Sequence, residues 1–249
     1  MKNSDWLTNY DATNETFWQN EGKKIAWKTL TITTIALTMS FATWFLFSVV
    51  VIKLPKIGFK FSDNQLFWLA AMPGLAGGLL RILNTFLIPM FGTKKVITVT
   101  TFLKIIPLFM LGFAVMDPNS SFGYFMLIAF LLGIGGGDFS SYMPSTSLFF
   151  PKKELGTALG VQAGIGNFGV SLVQLLSPLI IGLSIFSFMG GGEIVAETGK
   201  TIYLENIAFI YIIPLFLVGI WVFKSSGTIQ SRVIFVKGDC PQRAGTFKL

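Results

Sequence analysis

Six long runs of apolar residues divide the chain, at about 30–52, 65–90, 95–115, 122–148, 155–188 and 203–223. Each reaches or exceeds the roughly 20 apolar residues that a helix needs to cross a bilayer. Gly and Pro interrupt the runs, and none shows the strict alternation over about ten residues that marks a barrel strand, so the pattern predicts transmembrane helices. The runs at 122–148 and 155–188 are longer than one span requires, which predicts tilt or helical ends outside the hydrocarbon. The expected organisation is a polar N-terminal segment over 1–28, a six-helix bundle over 29–224 and a polar tail over 225–249. The fold class is all-α, in a membrane.

Composition narrows the function classes. Hydrophobic residues make up 52% of the 249 and charged residues only 12%, about half the roughly 25% of a soluble domain. That excludes a soluble enzyme, a disordered protein and a disulfide scaffold. The single Cys240 and the absence of histidine leave no Cys/His zinc site, and no cofactor is implied. The first 24 residues are polar and carry both charge signs, which argues against a cleavable signal peptide. The net charge of +7 reads as topology rather than nucleic-acid binding. Lys94, Lys95, Lys152 and Lys153 share one side with the basic terminal segments, against Lys53, Lys56, Lys60 and Lys200 on the other. Both termini are therefore expected in the cytoplasm, with the chain multi-pass in the cell membrane.

Three ionisable residues remain inside the spans: Arg81, Lys104 and Asp138. Such groups are costly in hydrocarbon and usually face a cavity or a partner. The plainer readings are a snorkelling Lys104 and a structural Arg81–Asp138 pair. Helical spacing puts Gly74, Gly77, Gly78, Arg81, Asn84 and Thr85 on one side of the second run. In the fifth, Gly156, Gly160 and Gly164 recur every four residues, and Asn167, Ser171 and Gln174 continue the stripe. Glycines so spaced suit close helix packing. Asn167 and Gln174 need polar partners, which a seam beside Arg81 would supply. The triple glycine before Asp138 matches no phosphate-loop pattern and reads as a locally flexible helix beside a cavity. Matched Gly-interrupted runs, second and fifth, suggest two groups of three helices and a site near the midplane. A guanidinium offers planar paired donors, so a small planar anion fits.

The run Phe149-Phe150-Pro151-Lys152-Lys153-Glu154-Leu155-Gly156-Thr157-Ala158-Leu159-Gly160-Val161-Gln162-Ala163-Gly164-Ile165-Gly166-Asn167-Phe168-Gly169-Val170-Ser171 resembles the signature of the nitrate/nitrite porters of the major facilitator superfamily. Leu79-Leu80-Arg81, Pro89-Met90-Phe91-Gly92, Leu54-Pro55-Lys56-Ile57-Gly58-Phe59 and Phe17-Trp18 are similar to further parts of that pattern. The resemblance implies alternating-access transport of nitrate or nitrite by a chain equivalent to the N-terminal six-helix bundle, itself two three-helix repeats. It implies Arg81 as the anion-binding arginine, Asn167 and the backbone of Gly164 beside the anion, and Phe41 and Phe139 as aromatic walls.

The chain departs from that family pattern in four ways. It holds six spans where the family has twelve, and Arg232 and Arg243 stand in the polar tail rather than in a second arginine helix. The tail itself matches no family pattern, as a truncation or frameshift would leave it. Asp138 stands where the family usually has asparagine, and Lys104 where an apolar residue is expected. Ionised beside Arg81, Asp138 would compete with the anion; burial could instead keep it protonated, or Lys104 could pair with it. Two functional readings follow. One is a transporter half that pairs with a second six-helix half or with itself. The other is a non-transporting remnant or assembly partner. An enzyme has no support, because Ser140, Ser141 and Ser171 have no visible base.

Overall fold

The computed structural model describes residues 6–7, 10–195, 198–225 and 228–229. Turns of helix at Glu15–Phe17 and Trp18–Gly22 lead into α1 (Lys23–Lys53). Next comes α2 (Asp63–Phe91), opened by a reciprocal cap in which Ser62 Oγ accepts from Gln65 N and the Gln65 side chain accepts from Ser62 N. Gly92, at φ +82°, turns the chain in one residue into α3, built of Thr93–Leu103 and Ile105–Met116 with a break at Lys104. Helix α4 comprises Phe122–Leu132, Ile134–Gly137 and Phe139–Phe149, interrupted at Gly133 and Asp138. Two further helices follow, α5 (Lys152–Ile180) and α6 (Glu205–Ser225). All six spans are long and apolar enough to cross a membrane. Most of the tail, 226–227 and 230–249, lies outside the described residues.

The fifth helix ends at Ile180, well short of the expected 188. Asn206, at the start of α6, donates from Nδ2 to the carbonyls of Ile180 and Leu183 and accepts from Phe186 N at 3.3 Å. These bonds satisfy carbonyls that another helical turn would have occupied. The apolar residues beyond, Leu183, Ile185 and Phe188 among them, stay exposed.

The six helices form two groups of three that interlock. Helix α2 packs along α4, and α5 packs along α1, so the second helix of each group lies on the first helix of the other. The third helices, α3 and α6, pack on each other; α3 also touches α4, and α6 touches α1. Between α1, α3, α4 and α6 lies the main core, with Leu46, Phe47, Leu111, Phe125, Leu132 and Ile207 fully buried. The remaining two helices are open. Only 22% of the apolar stretch of α2 and of α5 is buried, against at least half in each of the others.

Candidate functional site

Arg81 sits well inside α2 and turns toward α4. Its Nε donates to the carbonyl of Gly136 at 3.1 Å, and its guanidinium carbon lies 5.4 Å from the centroid of the Phe139 ring. Phe139 in turn stacks on Phe41 of α1, with ring centroids 6.0 Å apart and planes 14° from parallel. Three of the residues singled out by sequence thus meet in one place. Trp44 completes the wall: its ring lies 5.7 Å from that of Phe41, and its indole Nε1 donates to the Pro73 carbonyl at 2.9 Å. Among the described residues no carboxylate pairs with Arg81. A cation with one nitrogen bonded to backbone and an aromatic face beside it can accept a planar oxyanion edge-on.

Asp138 is not that missing partner. Its Oδ2 accepts from the ammonium of Lys104, and from Ser40 Oγ at 2.7 Å, while Lys104 Nζ also donates to Ser40 Oγ at 2.7 Å. All three side chains are fully buried. Of the three expectations for Asp138, the pairing with Lys104 is the one formed; neither a snorkelling Lys104 nor an Arg81–Asp138 pair is present. Asp138 faces α1 and α3 because it lies on a different side of α4 from Gly136 and Phe139, which three-residue spacing turns toward Arg81.

Asn167 and Gly164 do not join the cluster. Both are exposed on α5, and the Asn167 amide donates back to the Ala163 carbonyl at 2.8 Å. Gln174 is exposed as well, and α2 and α5 share no packing seam, so the expected polar seam beside Arg81 does not form. The glycine stripe also differs from expectation. A Cβ at Gly156, Gly160 or Gly164 would meet nothing, whereas one at Gly166 or Gly169 would strike Leu37 or the Thr38 backbone of α1. Close packing thus uses the other side of α5.

The triple glycine is a packing surface rather than a flexible cavity wall. Cβ atoms there would collide with the Ser40 backbone at Gly135, with Trp44 at Gly136 and with Leu80 and Asn84 at Gly137. Gly133 packs equally closely on Ala76 and Gly77 of α2. Nothing in the sequence marks Ser40, and Gln162 stands in the signature run without a role assigned to it, yet both are structural nodes. Fully buried Gln162 accepts from Thr146 of α4 at 2.7 Å and donates to Thr33 of α1 at 3.0 Å. This network seats the face of α5 opposite to the one that carries Gly164.

A membrane bundle of two interlocked helix triplets, with an arginine that has no carboxylate partner among the described residues set against aromatic rings, fits a transporter-type fold. The chain belongs to the Major Facilitator Superfamily, whose sequence profile matches residues 32–232. It is 48% identical over 233 residues to the "Probable nitrate/nitrite antiporter NarK2" of Thermus thermophilus, covering 91% of this chain and 52% of that protein. It is 45% identical over 212 residues to the nitrate/nitrite transporter NarU of Salmonella typhimurium, covering 85% and 46%. Against the nitrate/nitrite transporter NarU of Escherichia coli it is 41% identical over 241 residues, covering 96% and 52%. The chain therefore spans about half the length of the curated relatives it matches.

Proposed function

We propose that this chain is the N-terminal half of a nitrate/nitrite transporter and that Arg81 binds the anion. The observation that carries the reading is the position of the Arg81 guanidinium: inside an apolar span, against Phe139, without a carboxylate partner among the described residues. A lone cation there is costly unless it has a ligand. Nitrate and nitrite are flat, monovalent and able to accept paired hydrogen bonds, so they match a planar donor beside flat rings. Phe139 and Phe41 form the wall of the slot, and the nitrogen bonded to Gly136 fixes the plane of the guanidinium.

Asn167 and Gly164 enter the reading through the open faces. Helices α2 and α5 are the two least covered, as expected of surfaces that receive a second six-helix unit. Relatives about twice as long supply the material for such a unit. Gly164 and Asn167, exposed on α5, then come to the anion from the side of that interface. Alternating access needs two bundles that rock about a shared site. This chain provides the Arg81 side of it, in the cell membrane with both termini cytoplasmic.

The test pairs binding with transport. Purified chain is titrated with nitrate, and reconstituted chain is assayed for nitrate/nitrite exchange in proteoliposomes, each beside Arg81→Ala. Binding that disappears in Arg81→Ala supports the reading, with or without exchange. Nitrate affinity unchanged by Arg81→Ala overturns it.

A further inference from the structure

Immediately behind the two stacked rings lies the buried Lys104–Asp138–Ser40 cluster, and its connectivity follows the chain closely. Ser40 precedes Phe41, and Asp138 precedes Phe139. The 2.7 Å hydrogen bond from Ser40 Oγ to Asp138 Oδ2 therefore joins α1 to α4 one residue away from the ring pair on both helices. At the same level a Cβ on Gly135 would run into the Ser40 carbonyl, so the two backbones already touch. Lys104 closes the cluster from the break in α3, bonding both partners.

We propose that Ser40 and Asp138 are positioning residues for the aromatic slot, fixing the axial register of Phe41 against Phe139 beside Arg81, while Lys104 balances the charge of Asp138. The proposal rests on the anion-site reading above for its functional meaning. The physical basis is the step of the helix. A slip of one residue moves a side chain about 1.5 Å along the axis and about 100° around it, enough to undo a ring stack. Dispersion between rings has no such directional preference along the axis, whereas a buried hydrogen bond to a charged acceptor does. The ammonium of Lys104 lets a carboxylate stand in this dry core, because it balances the charge that Ser40 alone could not. The cluster offers no contact to the anion itself.

The test separates register from simple stability. Para-fluorophenylalanine at position 139 reports, by fluorine NMR, the ring current of Phe41 without any anion present. Phe41→Ala defines the resonance of the unstacked ring. In Lys104→Met/Asp138→Asn the amide oxygen still accepts from Ser40, so the wild-type resonance and nitrate affinity are expected. Lys104→Met/Asp138→Leu removes both charges and leaves no acceptor on α4, so that the Ser40 hydroxyl can donate only to the Ala36 carbonyl of its own helix. It is expected to fold, to move the resonance toward that of Phe41→Ala and to bind nitrate about tenfold more weakly, the equivalent of one hydrogen bond. Ser40→Ala removes the same bond from the other helix and is expected to shift the resonance likewise, which keeps the test decisive if the leucine variant misfolds. A wild-type resonance in both the leucine variant and Ser40→Ala, or in Ser40→Ala alone where the other does not fold, overturns the proposal. If the wild-type chain binds no nitrate while the resonances move as expected, the anion reading fails and the positioning role stands.

Discussion

Arg81 reaches from α2 to the backbone of Gly136 on α4, donating through Nε at 3.1 Å, so the arginine is held by a carbonyl rather than by an acid. A carbonyl orients the guanidinium without neutralising it. The positive charge stays available, and the Phe139 ring lies 5.4 Å from it. Lysine cannot reproduce this arrangement, because a single ammonium would have to serve both the carbonyl and the anion. Arg81→Lys is therefore expected to weaken nitrate binding by about tenfold or more, while the apo protein unfolds at the wild-type temperature. Nitrate titration and thermal unfolding of the same preparation check both halves.

Glycines on opposite sides of α5 should behave oppositely. Gly169→Ala drives a methyl group into the Thr38 backbone, which cannot move without shifting α1. A loss of about 1–3 kcal/mol is expected, the usual range for overpacking. Gly160→Ala meets open space and should leave stability unchanged. Reversible unfolding in mixed micelles distinguishes the two.

Gln162 ties three helices through its amide. Gln162→Leu would leave the buried hydroxyls of Thr33 and Thr146 without this partner. The expected cost is about 1–3 kcal/mol. Much of it should return in the triple variant Gln162→Leu/Thr33→Val/Thr146→Val, which removes the orphaned Thr146 hydroxyl together with that of Thr33, left with only its bond to the Leu30 carbonyl. Unfolding free energies across the set measure this recovery.

Stability should depend on pH through the loop between α5 and α6. Burial first, and then the neighbouring Glu205 carboxylate, raise Glu193 from its ordinary 4.5 to about 7. The folded state then holds a proton that the unfolded chain has released between these values, so this contribution is complete below 4.5 and is lost as pH rises through 7. Glu193→Gln is expected to flatten the fall in melting temperature over that interval. Wild type and variant scanned from pH 4 to 8 give the difference directly.

Much of the site was legible because intramembrane charge is rare. Arg81, Lys104 and Asp138 stand out in any reading of the spans, since hydrocarbon makes each of them expensive. Phe41 and Phe139 were legible only through family resemblance; among 26 phenylalanines, nothing local distinguishes a slot wall from a lipid-facing ring. The partner of Asp138 was open, because two cations were available and helical phase alone does not say how the helices rotate against each other. Ser40, the third member, is one of many small hydroxyl residues in these helices and carries no signal of its own.

By itself the sequence determined that six helices are long and apolar enough to cross a membrane, where five of them begin to within a few residues, and that an arginine lies inside one of them. These follow from apolar length and the cost of burying charge, both of which are local. Only the tertiary structure decided which glycines bear helix contacts, that Lys104 takes Asp138 away from Arg81, and that Asn167 faces outward from α5. Those outcomes depend on the rotation and register of each helix against its neighbours. Packing between α1, α2, α3, α4 and α5 sets both, and it is a property of pairs of faces that no single segment contains.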